Sequence, residues 1–438
     1  MTLFPKINVV TLGCSKNLVD SERLMKQLSA AGYRVVHDSN DPTAKIVIIN
    51  TCGFIGDARK ESIDTILSFV AAKKKKRIRT IYVFGCLSQR YREALQQEIP
   101  EVDAFFGVDE AGKILAALHA LWQPALQQAR QLTTPPHYAY LKISEGCNWR
   151  CSYCAIPLIR GNHVSVPEQQ VLDEAAGLVA QGVKELLVVA QDTTYYGLDL
   201  YGRRRIAALL QSLSEIEGVE WIRLHYAYPA QFPEDLFAVL RDNPKVCKYI
   251  DIPLQHVSDA VLRNMRRGVD GVQTRALVER LRREAPGIAI RTTFIVGHPG
   301  EDEQAFEALK TFVRDMQFER LGVFCYSEEE DTYGAKHFKD TIPDDVKQAR
   351  REELMSIQTT ISAQQARAKT GKTYKVIIDR QEGEYFAGRT EYDSPEVDTE
   401  VFVKADGLVI GRFYEVKVTA ASDYDLFAIP ARLKQDIS

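Results

Sequence analysis

The chain has 438 residues, enough for two or three domains that each bury a core of their own. Its formal charge of -3 gives no general pull toward nucleic acid. Apolar runs such as Ile46 to Ile49 and Leu186 to Ala190 are strand-length, and the N-terminus lacks the basic, apolar, small-residue order of a signal peptide, so no membrane span and no export are expected. The expected location is cytoplasmic. There, eight scattered cysteines do not make a disulfide framework, and clustered ones read as metal ligands or catalysts.

From Lys6 to about Trp122, short β-branched runs alternate with amphipathic stretches, the mark of a doubly wound parallel sheet flanked by helices. Three of the runs end in a cysteine: Ile7 to Gly13 leads into Cys14, Lys45 to Thr51 into Cys52, and Thr80 to Gly85 into Cys86. The carboxyl ends of parallel strands share one edge, so the three thiols are expected to converge there as ligands of a metal cluster. A single buried cysteine at a strand end is ordinary packing; three in the same topological position are not. The run Lys73 to Arg77 closes a helix that begins near Asp57, where cations complement the helix dipole; contact with RNA is the alternative.

A polar connector, residues 123–136, ends in Thr133-Thr134-Pro135-Pro136. Beyond it, six runs read as parallel strands of an open or partial β/α barrel: Tyr138 to Ile143, Glu185 to Ala190, Trp221 to His225, Tyr249 to Ile252, Ile288 to Val296 and Leu321 to Cys325. Directly after the first comes Cys147-Asn-Trp-Arg-Cys151-Ser-Tyr-Cys154. Three soft ligands on one tight loop can hold three irons of a 4Fe-4S cluster and leave the fourth open to a small molecule. Structural zinc is the other reading, but it wants four protein ligands, and no second knuckle follows. Gln191, Asp192, Gln255, His256 and Gly297 leave later strand ends on the same face, positions that a turn or a helix cap also explains. Cys247 and Cys325 read as core or incidental thiols.

The charged stretch Pro343 to Lys369 reads as a helix returning across the barrel. Past Gly371, six short runs suggest a small antiparallel barrel of the OB type: Tyr374 to Ile378, Tyr385 to Arg389, Glu400 to Val403, Val409-Ile410, Tyr414 to Ala420 and Leu426 to Ala428. Glu382, Glu384, Glu391, Asp393, Glu396, Asp398 and Glu400 crowd together in it, and such a face is expected to repel phosphates and attract a basic partner.

The Cys147, Cys151, Cys154 spacing resembles the signature of radical S-adenosylmethionine enzymes. Together with the strand-end cysteines and the terminal barrel, it resembles the methylthiotransferase family over nearly the whole chain. The segments Leu12 to Glu22, Asn50 to Ile55, Gly85 to Gln89, Gly146 to Pro157 and Ala190 to Gly202 are similar to the branch that methylthiolates an aspartate of small-subunit ribosomal protein twelve. The tRNA-modifying branch usually shows Gln-Met-Asn where this chain has Ser15-Lys16-Asn17.

The resemblance implies an N-terminal cluster domain (1–122), a linker (123–136), a radical-SAM partial barrel with its return helix (137–368) and a TRAM domain (369–438). It implies two 4Fe-4S clusters, one on Cys14, Cys52 and Cys86, the other on Cys147, Cys151 and Cys154. S-adenosylmethionine would serve as both radical source and methyl donor, contacted by Gln191, Asp192, Gln255, His256 and Gly297. The expected partners are the basic ribosomal protein, free or on the ribosomal subunit, and a reducing protein such as flavodoxin or ferredoxin; the expected state is a monomer. One departure is Val166, where the family usually carries a basic residue after the serine of Arg160-Gly-x3-Ser165.

Overall fold

A computed structural model describes residues 5–431. The first sheet has five parallel strands in the order Arg34–His37, Lys6–Thr11, Ile46–Thr51, Thr80–Gly85, Ala104–Phe105. Both faces are buried because the period-two alternation divides one apolar run between two cores. Ile7, Val9, Ile46, Ile48 and Phe84 meet Leu24, Met25 and Leu28 of the helix Ser15–Ala30; Val47, Ile49, Ile81 and Val83 meet Ile66 and Val70 on the other side. The strand order reverses between Lys6–Thr11 and Ile46–Thr51, which makes that edge the natural ligand crevice. Cys14 and Cys52 flank it, and Cys86 begins the helix after the next strand. In the helix Gly56–Lys74, Lys73 and Lys74 pair with Asp103 and Glu101.

The second sheet has six parallel strands in sequential order, Tyr138–Lys142, Glu185–Val189, Trp221–Leu224, Val246–Asp251, Ala289–Val296 and Arg320–Cys325. This is the expected open barrel of β/α units. One face packs on the flanking helices through Leu186, Val188, Ile222, Leu224, Ile250 and Ile290. The helix Asp344–Arg367 returns along the last strand and buries Leu354 and Ile361 in the same core. Val166, where a basic residue was expected, packs against that core, and its carbonyl accepts from the Tyr196 hydroxyl at 2.8 Å.

Residues 373–430 form a closed five-stranded barrel in the order Thr373–Glu382, Tyr385–Thr390, Val401–Lys404, Leu426–Pro430, Phe413–Ala421. Val409-Ile410, expected as a strand, instead leads into a turn: both side chains are about half exposed, and the Gly411 N–H reaches Ile378 O at 2.7 Å. β-branching alone does not make a strand where no neighbour covers it.

The acidic crowd of this barrel needs a larger correction. Its Thr390–Thr399 stretch enters the lumen of the open barrel. Asp393 pairs with Arg320, Asp398 lies 3.5 Å from Arg291, and Ser394 meets His225 at 3.0 Å. Arg389 pairs with Glu185 at 2.8 Å and with Asp379 at 2.6 Å, while Arg223 pairs with Glu185 at 2.8 Å and donates to Glu391 O. Glu382 and Glu400 both pair with Arg380, and Glu384 pairs with Lys404. The acids are therefore largely spent within the chain, Asp393 and Asp398 on closing the barrel floor, rather than forming a face free for a basic partner. Burial of these charges is tolerated because each gains an opposite partner.

Candidate functional site

The three strand-end cysteines are knitted together by Asn17. Its amide N–H2 donates to Leu12 O at 2.9 Å and Thr51 O at 3.2 Å, and its Oδ1 lies 3.8 Å from the Cys86 sulfur, so one buried side chain touches all three loops. A Cβ added to Gly13 would stand 2.7 Å from Cys52 Cβ, so the turn before Cys14 presses directly on Cys52. Ser62 Oγ accepts from the Cys52 N–H at 3.1 Å and donates to its carbonyl at 2.9 Å. A cavity of about 280 Å³ opens beside Cys14, lined also by Ser15, His37, Asp38, Tyr140 and Glu396.

The second trio sits on the loop after the first barrel strand. Gly146 adopts φ +73°, and a Cβ there would fall 2.1 Å from Asn162 O, so only glycine lets the loop begin against its own return. Cys154 N–H donates to Cys151 O at 3.1 Å. Trp149, between the first two cysteines, stacks on Tyr228 with centroids 4.1 Å apart, and its indole N–H donates to Asp192 at 2.6 Å. The Tyr228 hydroxyl lies 3.4 Å from the Cys151 sulfur and donates to Arg267 O. Ser152 is met by His298, a ring that burial keeps neutral down to about pH 4.

The two trios are neighbours. Cys86 packs against Ala155 and Ile159, and Ala155 directly follows Cys154. Arg160, which ends the short helix Ile156–Arg160, donates to the Cys86 sulfur from Nε and Nη2, each at 3.4 Å, to Asn17 Oδ1 at 2.7 Å, and to Asp20 and Glu145 at 3.0 and 2.8 Å. Lys142 joins the same two carboxylates. Behind them, Arg130 of the connector pairs with the fully buried Glu22 at 2.6 Å. The polar residues of the Leu12 to Glu22 segment therefore dock the first sheet on the second.

The donor set fits iron-sulfur clusters. Burial pushes the Cys52 thiol up to about 11 and Cys147 up to about 12, with Cys86 and Cys154 shifted the same way, so these thiols are protonated at neutral pH until a metal displaces the proton. Beside each trio lies a buried cation with no carboxylate in ion-pair reach among the described residues: Lys16, over the Tyr226 ring at 3.4 Å and next to Cys14, and Arg267, 3.6 Å from the Cys151 sulfur. A bare buried cation is costly, and a thiolate-ligated cluster supplies the missing anion. No three His, Cys, Asp or Glu side chains among the described residues converge as ligands of a single ion. A four-iron cluster gives each thiolate its own iron and needs no such convergence.

The remaining expected residues divide. Gln191 donates to Glu145 at 2.7 Å, and its buried Oε1, like that of Gln255, has no partner among the described residues; both lie at strand ends on the cysteine-loop face. Gln255 holds φ +71°, a strained conformation for a side chain of its kind. Asp192 is taken up by Trp149 and Thr194. His256 and Gly297 belong to a different cluster, around Glu301, which lies 3.3 Å from the His256 ring, accepts from the Gly297 N–H at 3.0 Å and pairs with Arg350 at 2.8 Å. A Cβ on Gly297 would fall 2.2 Å from Lys347 Cγ, so the returning helix already accounts for this glycine. Sequence reasoning met Arg160 and Asn17 only as parts of motifs, without a role, and passed over Arg267 and Tyr228. Only the Arg266-Arg267-Gly268 and Arg160-Gly161 pairs carried a local signal, a buried cation next to a glycine turn.

Known proteins resemble all three parts of the chain. Residues 6–107 match the model described as Uncharacterized protein family UPF0004, residues 141–313 the Radical SAM superfamily and residues 370–430 the TRAM domain. Solved structures of similar fold include the radical S-adenosylmethionine methyltransferase TsrM from Kitasatospora setae (TM-score 0.55, 14% identity, 74% of this chain and 72% of that one). The cobalamin-dependent radical enzyme OxsB is another (TM-score 0.52, 14% identity, 82% and 58%). At such identity they speak for the fold alone. Two curated relatives, each named ribosomal protein uS12 methylthiotransferase RimO, reach much further: that of Phocaeicola vulgatus is 55% identical over 96% of this chain and 98% of its own, and that of Bacteroides thetaiotaomicron 56% over 97% and 98%. With such identity along both full lengths, the chain belongs to the RimO family of radical SAM methylthiotransferases.

Proposed function

We propose that this protein inserts a methylthio group at the β-carbon of an aspartate in ribosomal protein uS12, the substrate named for its relatives. Cys147, Cys151 and Cys154 would hold one 4Fe-4S cluster and Cys14, Cys52 and Cys86 the other. The chemistry that the bound clusters and S-adenosylmethionine supply is hydrogen-atom abstraction from an unactivated carbon and delivery of a methylated sulfur to it.

The chain's own residues hold and seclude these reactants. Trp149, stacked on Tyr228 and tethered by Asp192, keeps the cysteine loop in one shape. The unpartnered Oε1 atoms of Gln191 and Gln255 are acceptors for the polar end of S-adenosylmethionine. Asn17 and Arg160 keep the two trios in register. The lumen is shut from below by the Thr390–Thr399 stretch, which excludes water from a reactive carbon.

The observation that carries the reading is the burial of Cys86 against Ala155 and Ile159, one residue on from Cys154, since a carbon made reactive at one trio must meet sulfur held at the other. We further propose that the protein acts as a cytoplasmic monomer and takes electrons from a flavodoxin or ferredoxin. Among the described residues no helix is long and apolar enough to cross a membrane. The test is anaerobic reconstitution followed by incubation with S-adenosylmethionine, reductant, and either uS12 or tRNA. A methylthio group found by mass spectrometry on the uS12 aspartate is expected; modification of adenosine in tRNA would overturn the substrate assignment.

A further inference from the structure

Each trio has one buried arginine donating to one of its sulfurs. Arg160 points Nε and Nη2 at the Cys86 sulfur, both at 3.4 Å; Arg267 reaches the Cys151 sulfur with Nη1 at 3.6 Å. The two guanidiniums differ in how their charge is balanced. That of Arg160 is offset by Asp20 and Glu145. That of Arg267 has no carboxylate among the described residues: it lies over the Tyr228 ring at 4.1 Å, contacts the Tyr153 hydroxyl at 3.4 Å and Pro253 O, and leaves Nε without a partner.

We propose that Arg160 and Arg267 are positioning residues that set the reduction potentials of the two clusters separately, Arg160 that of the Cys14, Cys52, Cys86 centre and Arg267 that of the Cys147, Cys151, Cys154 centre. The proposal rests on the assignment of the six cysteines as cluster ligands. Reduction adds one negative charge to a cluster, and N–H donation to a ligating sulfur stabilises that charge, which raises the potential. A nearby cation does the same through space, more strongly where no carboxylate offsets it and the surroundings are apolar. The two arginines therefore act by different means. Arg160 works mainly through its forked pair of N–H···S bonds, because its charge is already matched. Arg267 works through its hydrogen bond and its uncompensated charge together, so its loss has the greater effect.

The arrangement also keeps the two settings apart. The network of Arg160 runs to Asn17, Asp20 and Glu145, that of Arg267 to Tyr153, Tyr228 and Pro253, and the two lists share no residue. Lysine cannot replace either fully, having a point charge in place of a planar fork.

The test is an EPR-monitored redox titration of reconstituted full-length protein. Wild type, Arg160→Gln, Arg160→Lys, Arg267→Gln and Arg267→Lys are compared, with the two triple Cys→Ala backgrounds used to assign each signal. Arg160→Gln is expected to lower the potential of the Cys14, Cys52, Cys86 centre alone, and Arg267→Gln that of the Cys147, Cys151, Cys154 centre alone, by at least a tenfold change in the reduced fraction at fixed poise, about 59 mV for one electron. Arg267→Lys is expected to recover part of the shift through its charge, Arg160→Lys little. Potentials that stay unmoved, or that move together in either variant, overturn the proposal. So does an Arg267 variant that loses S-adenosylmethionine binding at unchanged potential, since the guanidinium would then be serving the cofactor's carboxylate. Where a Gln variant fails to fold, the Lys variant decides by a smaller lowering confined to its own centre, and no movement or movement of both centres overturns the proposal. Wild type that takes up no iron refutes the cluster assignment itself, an outcome distinct from eight irons per chain, about what two four-iron clusters need, with unmoved potentials.

Discussion

The indole N–H of Trp149 donates to the Asp192 carboxylate at 2.6 Å, so a residue leaving the second barrel strand fixes the loop that carries Cys147 and Cys151. Asp192 is buried, and its other oxygen is taken by the Thr194 N–H and hydroxyl. Asp192→Ala is expected to cost about 1.5–3 kcal/mol, the worth of a hydrogen bond to a charged group, and to free the Trp149 ring. Asp192→Asn, which keeps an acceptor, should lose less. Thermal unfolding and the Trp149 emission spectrum report both effects, and an Ala variant identical to wild type in each contradicts the tether.

Cys151→Ala should abolish release of deoxyadenosine from S-adenosylmethionine, whereas Cys52→Ala should leave that cleavage largely intact and stop methylthiolation. Product analysis by chromatography and mass spectrometry separates the two. Identical behaviour of the variants would show that the trios do not divide the work.

Gly297→Ala places a methyl group 2.2 Å from Lys347 Cγ at a φ of +75°. It is expected to destabilise the fold by about 1–3 kcal/mol. Affinity for S-adenosylmethionine should be little changed where the variant is folded, because the returning helix and not the cofactor explains the glycine. Chemical denaturation and equilibrium binding measure the two effects; weakened binding at unchanged stability would restore Gly297 to the cofactor site.

Arg389→Ala breaks a buried pair with Glu185 and Asp379. Removing one partner of such a pair typically costs about 3–5 kcal/mol. The terminal barrel should then loosen from the second sheet, seen as faster hydrogen exchange in Tyr385–Thr390 and Trp221–Leu224 together. Faster exchange in the terminal barrel alone would mean that the ionic layer does not join the two.

Acid should act at the same junctions. Burial disfavours the ionised Asp393 carboxyl, yet Arg320, Lys369 and the Thr390 and Thr399 hydroxyls together outweigh it and hold the group well below the usual carboxylate range; Glu145, half-buried, is brought down to about 2 by Lys142 and Arg160. A depressed folded-state value means that the stabilisation is full above the unfolded value, about 3.9 for Asp and 4.3 for Glu, and is lost as pH falls through the folded one. The melting temperature of the apo protein should hold level from pH 7 to about 5 and then decline below about 4. The Asp393→Asn variant should start lower and decline less; an equal decline would assign the acid loss elsewhere.

Much of the architecture was legible because it rests on local signals. Short β-branched runs between amphipathic stretches marked the first sheet, strand-length apolar runs the six barrel strands, and a cysteine after three of the runs placed all three at one edge once the sheet was taken as parallel. What escaped was long-range pairing of charge. Arg267 lies 116 positions from Cys151 and Arg160 74 from Cys86, separations at which spacing carries no information. The acids of residues 391–398 misled for the same reason. In sequence they form an uncompensated run, and only the fold supplies Arg320, 73 positions from Asp393, and Arg291, 107 from Asp398. Val409-Ile410 misled through propensity, which counts for little on an uncovered surface.

The plug formed by Thr390–Thr399 bears on how this protein can be rebuilt. Its counter-charges lie on the strands of another domain, so the C-terminal piece is not an interchangeable cassette. A chimera whose C-terminal piece lacked Asp393 and Asp398 would leave Arg320 without a carboxylate, whereas Arg223 and Arg291 would keep Glu185 and Asp251 of their own sheet.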